Sequence, residues 1–165
     1  MNASLESLFK DFVSVPWEGC ERSIPCVAGT HVYALIVGAG AQRFPLYVGQ
    51  TRRLLGRVGD YQTAQFSATT DFRVGEAIKY LIADRGCKVD FLYRPSTSHL
   101  KDEKLLIREL LLSGYTLLNF LGAFDYKGAN QADERQVLRR FCDMALLHAR
   151  IARDTTAGKG EATSV

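Results

Sequence analysis

The spacing of apolar residues predicts a chain in which short strands alternate with amphipathic helices. Residues 31–37 form a run of β-branched, aromatic and other apolar side chains of strand length, and residues 45–49 form a second run. Residues 88–94 alternate in polarity and end at Pro95, which is typical of a third strand. Only a few residues separate the first two runs, so we expect them to pair as a hairpin.

Apolar side chains recur at helical spacing in five further segments. Gly86 and Gly114 stand where two of these segments end, as expected for a helix C-terminus. The stretch 15–30 is rich in Pro, Gly and Cys, which predicts an irregular connection. The predicted helices are residues 1–13, 52–61, 72–86, 99–114 and 131–154. Together with the strands they predict a small α/β sandwich around a short sheet.

The glycine-rich run 38–40 after the first strand begins like a dinucleotide-binding loop. Such a loop needs a third small residue and then a helix, whereas Arg43, Pro45 and the second strand follow here. A parallel crossover would also need a dozen or more residues. We therefore interpret the glycines as a hairpin turn.

The overall composition limits the class of protein. A chain of 165 residues, 47% of them hydrophobic and 24% charged, suits one globular domain with a sizeable core. A net charge of +3 permits a polyanionic partner without requiring one. No apolar run approaches the length of a membrane span and no signal-peptide pattern opens the chain, so we expect a cytoplasmic protein with no membrane partner.

Four cysteines are scattered along the chain: Cys20, Cys26, Cys87 and Cys142. They include no Cys-x-x-Cys pair and lie near no histidine cluster, which argues against a zinc site. A chain of this size without an export signal does not imply disulfides, so we expect reduced thiols.

The chemical signal begins on the predicted hairpin. Its first strand starts with His-Val-Tyr at 31–33, and its second ends with Tyr-Val-Gly at 47–49. Arg57 follows the second tyrosine by ten residues, and Tyr61 lies one helical turn later. In this order the residues resemble the motifs of the GIY-YIG nuclease family.

Two later motifs extend this resemblance to just over half of the chain. Residues 103–107, Glu-Lys-Leu-Leu-Ile, match the start of the family's metal-binding helix, and Leu118-Asn119 match the end of its core. Two positions depart from the family pattern. His31 replaces the first glycine, and Gln50 stands where many members have a lysine.

The resemblance implies a role for each matching residue. The catalytic set would be Tyr33, Tyr47, Arg57, Tyr61 and Glu103, with Tyr33 as the candidate base. Substrate contacts would come from Gly49, Gln50, Arg52, Arg53 and Asn119. Glu103 would hold one Mg²⁺ or Mn²⁺, a hard cation that accepts a single carboxylate and keeps several waters.

The residue types suit phosphodiester hydrolysis. Arg57 carries a guanidinium group, which is planar and permanently charged and can contact two phosphate oxygens. Glu103 lies in line with Ile107 and Leu110 at helical spacing, where a carboxylate costs free energy unless it has a partner. A first-turn acid favoured by the helix dipole is the other interpretation of this carboxylate, and the adjacent Asp102 fits that role as well.

The resemblance implies an α+β fold, with a three-stranded antiparallel sheet flanked by helices and extra helices at both ends. Residues 1–29 would hold the N-terminal helix and connection, and 30–120 the nuclease-like core. Residues 121–153 would form a helical extension, and 154–165 a disordered tail. The implied function is metal-dependent cleavage of DNA, with RNA and the oligomeric state left open. The alternative is a catalytically degenerate module that binds nucleic acid or protein, because His31 and Gln50 depart from the motifs.

Overall fold

The computed structural model describes residues 4–121 and 130–157, with side chains as far as Ile151. Its strands are β1 (Val13–Pro16), β2 (His31–Ala39), β3 (Gln42–Thr51) and β4 (Lys88–Pro95). They form one antiparallel sheet in the spatial order β1-β4-β2-β3, with helices on both faces. The expectation of a mixed α and β fold around an antiparallel sheet is confirmed.

The prediction of three strands is wrong, because β1 adds a fourth at the edge of the sheet. Its residues pair with β4 from Val13 to Pro16, and the backbone N–H of Trp17 donates to the carbonyl of Val89. The strand escapes sequence analysis because it has four residues and ends in proline, too short for a clear alternation. The N-terminal helix, which we expected over residues 1–13, is also shorter than predicted and spans only Leu5–Leu8.

The other four predicted helices are present, and α2 (Cys20–Ser23) adds a short helix within the stretch 15–30, where we expected an irregular connection. The last helix continues to Ala157, into the stretch 154–165 that we expected to be disordered, and residues 158–165 lie outside the described residues. Within the described ranges, no helix combines the length and hydropathy needed to cross a bilayer. The helices are α1 (Leu5–Leu8), α2 (Cys20–Ser23), α3 (Leu54–Thr63), α4 (Thr69–Ala83), α5 (His99–Leu112) and α6 (Gln131–Ala157), and a 3₁₀ turn covers Leu118–Phe120.

The predicted hairpin is present and turns at Gly40, which has a positive φ of 64°. Strands β2 and β3 pair along their whole length, with one register shift after Leu35. This pairing sets Tyr33 opposite Gly49 and brings Tyr47 opposite Leu35. The glycines therefore serve the turn, and the hairpin places both tyrosine motifs side by side.

The central strand β2 is buried on both faces. Tyr33 and Leu35 belong to the larger core, where α3, α4 and α6 cover the sheet. Val32 and Ala34 belong to the second core, which α1 and α5 cover. A strand buried on both sides reads as a continuous apolar run, which explains why its sequence signal is strong.

Close packing of α3 against α4 depends on Gly75. A Cβ atom built at this position would lie 2.7 Å from the Cβ of Ala64 and closer still to the carbonyl oxygen of Tyr61. Backbone cannot move aside as a flexible side chain can, so the helices meet at this distance only because residue 75 is glycine.

Two helical glycines should therefore respond to alanine in opposite directions. Gly75→Ala is expected to lower the free energy of unfolding by about 1–3 kcal/mol, because the added methyl group overpacks the contact with α3. Gly59→Ala should raise it by about 0.5–1 kcal/mol, because no atom lies within 4 Å of the new Cβ and alanine favours a helix. Urea denaturation measures both values. Equal stability of the two variants would contradict the close packing.

Candidate functional site

The three predicted tyrosines come together on the larger core side of the sheet. The phenol oxygens of Tyr33 and Tyr61 share a hydrogen bond. Their ring centroids lie 6.2 Å apart, and the centroid of Tyr47 lies 6.3 Å from Tyr33 and 6.2 Å from Tyr61. Tyr33 and Tyr61 are each 1% exposed, whereas Tyr47 is half-buried. Tyr47 is thus the member of the cluster that can meet a ligand without rearrangement.

Gly49 is required by the position of Tyr33. A Cβ on Gly49 would overlap the phenol oxygen and ring of Tyr33, which lie across the backbone of β3. The second motif therefore ends in glycine for a steric reason visible in the structure. Its expected contact with substrate stays a prediction.

Arg57 lies beside this cluster, on the first half of α3. Its Nη1 is 3.0 Å from Oδ1 of Asp71 and 3.4 Å from Oδ2 of Asp60, and its Cζ is 5.8 Å from the ring centroid of Tyr61. The side chain is 28% exposed, and its Nε is buried without a hydrogen-bond partner in the described structure. Asp71 and Asp60 therefore engage one nitrogen of the guanidinium, and its other N–H groups have no hydrogen-bond partner in the described structure.

Asp71 is not among the predicted site residues. The predicted helix starts at residue 72, whereas α4 begins at Thr69 and carries Asp71 in its first turn. The only signal in the sequence was an acid near a helix start. The helix dipole favours an acid there in many helices, so this signal does not indicate a partner fourteen residues away.

The structure separates the two acids at the start of α5. Asp102 accepts hydrogen bonds from Ser96 Oγ at 2.7 Å and from Arg94 Nη2 at 3.4 Å. Glu103 makes no hydrogen bond or ion pair with any described residue, although it is half-buried. Burial raises the pKa of Glu103, and Lys104 partly opposes this rise. Asp102 thus has the structural role, and Glu103 has no partner within the described ranges.

Burial raises the pKa of all three tyrosines above the ordinary value. The negative charge of Glu103 adds to this rise at Tyr33 and Tyr47, so its carboxylate lies within electrostatic range of the cluster, while Arg57 opposes it. The phenols are therefore neutral near pH 7 and act as hydrogen-bond donors. The base role expected for Tyr33 stays a prediction that burial disfavours.

Asn119 fixes the backbone of the second motif. Its Oδ1 accepts from the N–H of Val48 at 3.0 Å, and its Nδ2 donates to the carbonyl of Val48 at 2.7 Å. These bonds satisfy the outward-facing N–H and C=O of Val48 on β3, which is an edge strand of the described sheet. The observed contacts give Asn119 a positioning role between Tyr47 and Gly49, and its expected contact with substrate stays a prediction.

The other expected substrate contacts lie where β3 leads into α3. Gln50 is half-buried, and Arg52 and Arg53 are exposed. Arg52 makes no ion pair within the described ranges, whereas Arg53 lies 3.7 Å from Asp60. Of these two arginines, Arg52 is thus the one without an ion-pair partner in the described structure.

His31, which replaces the first glycine of the motif, does not enter the tyrosine cluster. It is 3% exposed, and its ring lies 6.2 Å from that of Tyr93. Its Nδ1 is buried without a hydrogen-bond partner in the described structure. The substitution is therefore accommodated in the core, and Tyr33 keeps its contacts with Tyr61.

A divalent cation would have one protein carboxylate here. No group of three or more His, Cys, Asp or Glu side chains suited to a metal occurs in the described part of the chain. Glu103 alone, half-buried and without a partner, fits a hard cation that keeps several waters and takes oxygen atoms from its substrate. Chelation by protein side chains alone does not fit this site.

One small recess opens beside the site. It has a volume of about 130 Å³ and is lined by Tyr47, Thr70, Arg73 and Asn119, among others. A separate recess of about 260 Å³ lies between the β2–β3 hairpin and α6 and contains none of the predicted site residues. The arrangement of side chains around Tyr47 and Arg57 is therefore a better basis for inferring a reaction than the shape of either recess.

Comparisons with protein-family models, curated proteins and solved structures give no significant match to this chain. A function must therefore be inferred from the side chains of the site.

Proposed function

We propose that this chain is a metal-dependent endonuclease that hydrolyses phosphodiester bonds of DNA. One observation carries the proposal: three neutral phenols lie beside Arg57, whose Nη2 has no partner in the described structure, and the charge of the unpartnered Glu103 raises the pKa of Tyr33 and Tyr47. A cluster of donors and a permanent positive charge suits a phosphate, and a lone carboxylate suits a hard cation. The resemblance to GIY-YIG nuclease motifs supports the same assignment.

Arg57 would bind the scissile phosphate. Asp71 engages Nη1 and Nε is buried, which leaves the N–H groups of Nη2 for a phosphate oxygen. The guanidinium stays charged at any pH at which the protein is folded. Charge that develops on the phosphate oxygens during hydrolysis would be stabilised there.

The tyrosines would act as neutral donors at the same phosphate. Tyr47 is the half-buried member and borders the recess that contains Asn119. Tyr33 and Tyr61 bond each other through their phenol oxygens and pack against Tyr47, which fixes the direction of its ring. Their raised pKa values keep all three protonated, so an anionic oxygen would accept from Tyr47.

Glu103 is the residue that would hold Mg²⁺ or Mn²⁺. The bound cation would supply charge neutralisation at the phosphate and at the leaving oxygen. The carboxylate must be ionised for this purpose, and burial works against its ionisation. A nearby cation would reverse that balance, because an opposite charge lowers the pKa of a carboxyl group.

A binding module without catalysis is the second candidate function. Two departures favour it, His31 in the first motif and Gln50 after the second. Neither residue disturbs the contacts among Tyr33, Tyr61 and Arg57, which is why we rank the nuclease first.

Metal removal distinguishes the two candidates. With Mg²⁺ or Mn²⁺ we expect the wild-type chain to cleave an end-labelled DNA duplex, and a chelator should abolish cleavage while a gel shift still detects binding. A labelled RNA of the same sequence tests the choice of substrate. Binding to the duplex without cleavage at any metal concentration would favour the binding module. Cleavage that persists in the chelator would refute the role of Glu103.

A further inference from the structure

We propose that Asp71 is a positioning residue, which holds the guanidinium of Arg57 in the orientation that a phosphate requires. This inference rests on the proposed function, because it assigns Asp71 a task in that site. Neither the motifs nor the chemistry expected from them includes an acid at this position. Three features of the structure support it: the strength of the contact, the rigidity of its frame and the N–H groups that it leaves free.

The contact from Asp71 is stronger than the second carboxylate contact of Arg57. Asp71 Oδ1 lies 3.0 Å from Nη1, with hydrogen-bond geometry, and its side chain is 20% exposed. Asp60 Oδ2 lies 3.4 Å from the same nitrogen, is 32% exposed and also neighbours Arg53. A shorter and less solvated charge contact orients a guanidinium more firmly.

Asp71 reaches Arg57 from a different helix, and the two helices are locked together. It lies in the first turn of α4, where the helix dipole favours a carboxylate. Gly75, one turn later, packs against the backbone of Tyr61 so closely that no side chain fits between α3 and α4. Asp71 is therefore fixed relative to Tyr61 and the cluster around it. Asp60 lies on α3, the same helix as Arg57, so it cannot serve as a fixed contact from a second helix.

Binding of Nη1 leaves the N–H groups of Nη2 without a partner in the described structure. Nε is buried without a partner, and the guanidinium lies over the ring of Tyr61. With Asp71 in place, its carboxylate and the ring of Tyr61 together fix the plane of the Arg57 guanidinium. Without it, the guanidinium would keep only the longer contact with Asp60, which Arg53 shares. A displacement of about 1 Å at a reacting centre can lower a rate by about 100-fold.

The test compares Asp71→Ala and Asp71→Asn with wild type in the DNA cleavage assay. Asp71→Ala should lower kcat by about 100-fold. Asp71→Asn should lower it by about 10-fold, because the amide oxygen still accepts from Nη1. KM should change by less than about threefold, since Arg57 keeps its charge. The control is Asp90→Asn, which removes a partly exposed carboxylate that pairs with Arg43 on the far part of the hairpin; its kcat should equal that of wild type.

A second readout does not depend on activity. In ¹⁵N NMR spectra the Nε–H of Arg57 should exchange slowly with solvent in wild type, because it is buried. In Asp71→Ala it should exchange at least about 10-fold faster, while the melting temperature and the other amide signals show a folded protein. A purely structural role would speed exchange of the protected backbone amides and of Arg57 Nε–H alike, in proportion to the lost stability, whereas a positioning role speeds exchange of Arg57 Nε–H selectively.

The outcomes separate this inference from the proposed function. If wild type cleaves DNA and Arg57→Ala does not, but Asp71→Ala cleaves as wild type does, the positioning role is wrong and the nuclease assignment stands. If wild type does not cleave at all, the proposed function fails. In that case an unchanged Arg57 Nε–H signal in Asp71→Ala overturns the positioning contact too, and a fast-exchanging one supports it.

Discussion

Replacement of Arg57 by lysine is expected to lower the rate of DNA cleavage by about 100- to 1000-fold. Lysine keeps the positive charge and can still pair with Asp71, so loss of charge does not explain the effect. A single ammonium group cannot bond Asp71 through one nitrogen and present a second nitrogen to a phosphate oxygen, as a guanidinium can. The measurement is kcat on a labelled duplex at saturating Mg²⁺.

Two controls make this prediction specific. Arg43→Lys makes the same chemical change at a residue that is 44% exposed and pairs with Asp90, and it should cleave as wild type does. The melting temperature of Arg57→Lys should lie within about 4 °C of wild type, since the partly buried ion pair with Asp71 can re-form. Full activity in Arg57→Lys would show that the guanidinium is not the phosphate-binding group.

Replacement of Glu103 by glutamine is expected to abolish metal-dependent cleavage and to stabilise the fold. An amide is a poor ligand for Mg²⁺, so the rate should fall to the level seen in chelator. The same change removes a half-buried carboxylate that has no partner in the described structure. At pH 7 the free energy of unfolding should rise by about 0.5–1 kcal/mol, as is common where a site trades stability for function.

The size of this effect depends on pH. Burial raises the pKa of Glu103 in the folded chain, so the fold favours the protonated carboxyl group. The stability that this preference supplies is complete below the pKa of an unfolded glutamate and is lost as pH rises through the raised pKa. The advantage of Glu103→Gln should therefore shrink under acid. The cleavage rate of wild type should also fall there, because a protonated carboxyl group does not hold the cation.

The neighbouring acid provides the matched control. Asp102→Asn should lower the free energy of unfolding by about 1 kcal/mol, because Asp102 accepts from Ser96 and Arg94, and it should leave cleavage intact. Added Mg²⁺ should raise the melting temperature of wild type and of Asp102→Asn but not that of Glu103→Gln. If Glu103→Gln is less stable than wild type and still responds to Mg²⁺, the carboxylate is structural.

Part of the site could be predicted because local geometry fixes it. A hairpin sets two strands in register, so the motifs that contain Tyr33 and Tyr47 fall side by side once the turn is located. A helix that starts directly after the second strand carries Arg57 and Tyr61 back over the same face at one-turn spacing. The inward placement of Glu103 follows from its alignment with Ile107 and Leu110 on α5.

Other parts depend on tertiary contacts that a sequence pattern does not encode. Strand β1 exists because β4 offers it an edge, and its four residues have no period of their own. The partnership of Asp71 with Arg57 requires the close approach of α4 to α3. The sequence pattern does not encode the amide bonds of Asn119 to Val48, which arise because β3 is an edge strand there. In each case a neighbour distant in sequence decides the role.

The central claim is that Glu103 and its surroundings form a metal-dependent phosphodiesterase site, and one measurement tests it most directly. Supercoiled plasmid is incubated with purified wild type or Glu103→Gln across a range of Mg²⁺ concentrations, and nicked circles are quantified. Wild type should nick the plasmid in proportion to bound Mg²⁺, and Glu103→Gln should remain at the background seen in chelator. Equal nicking by the two proteins, or no nicking by a wild type that binds the plasmid, would contradict the claim.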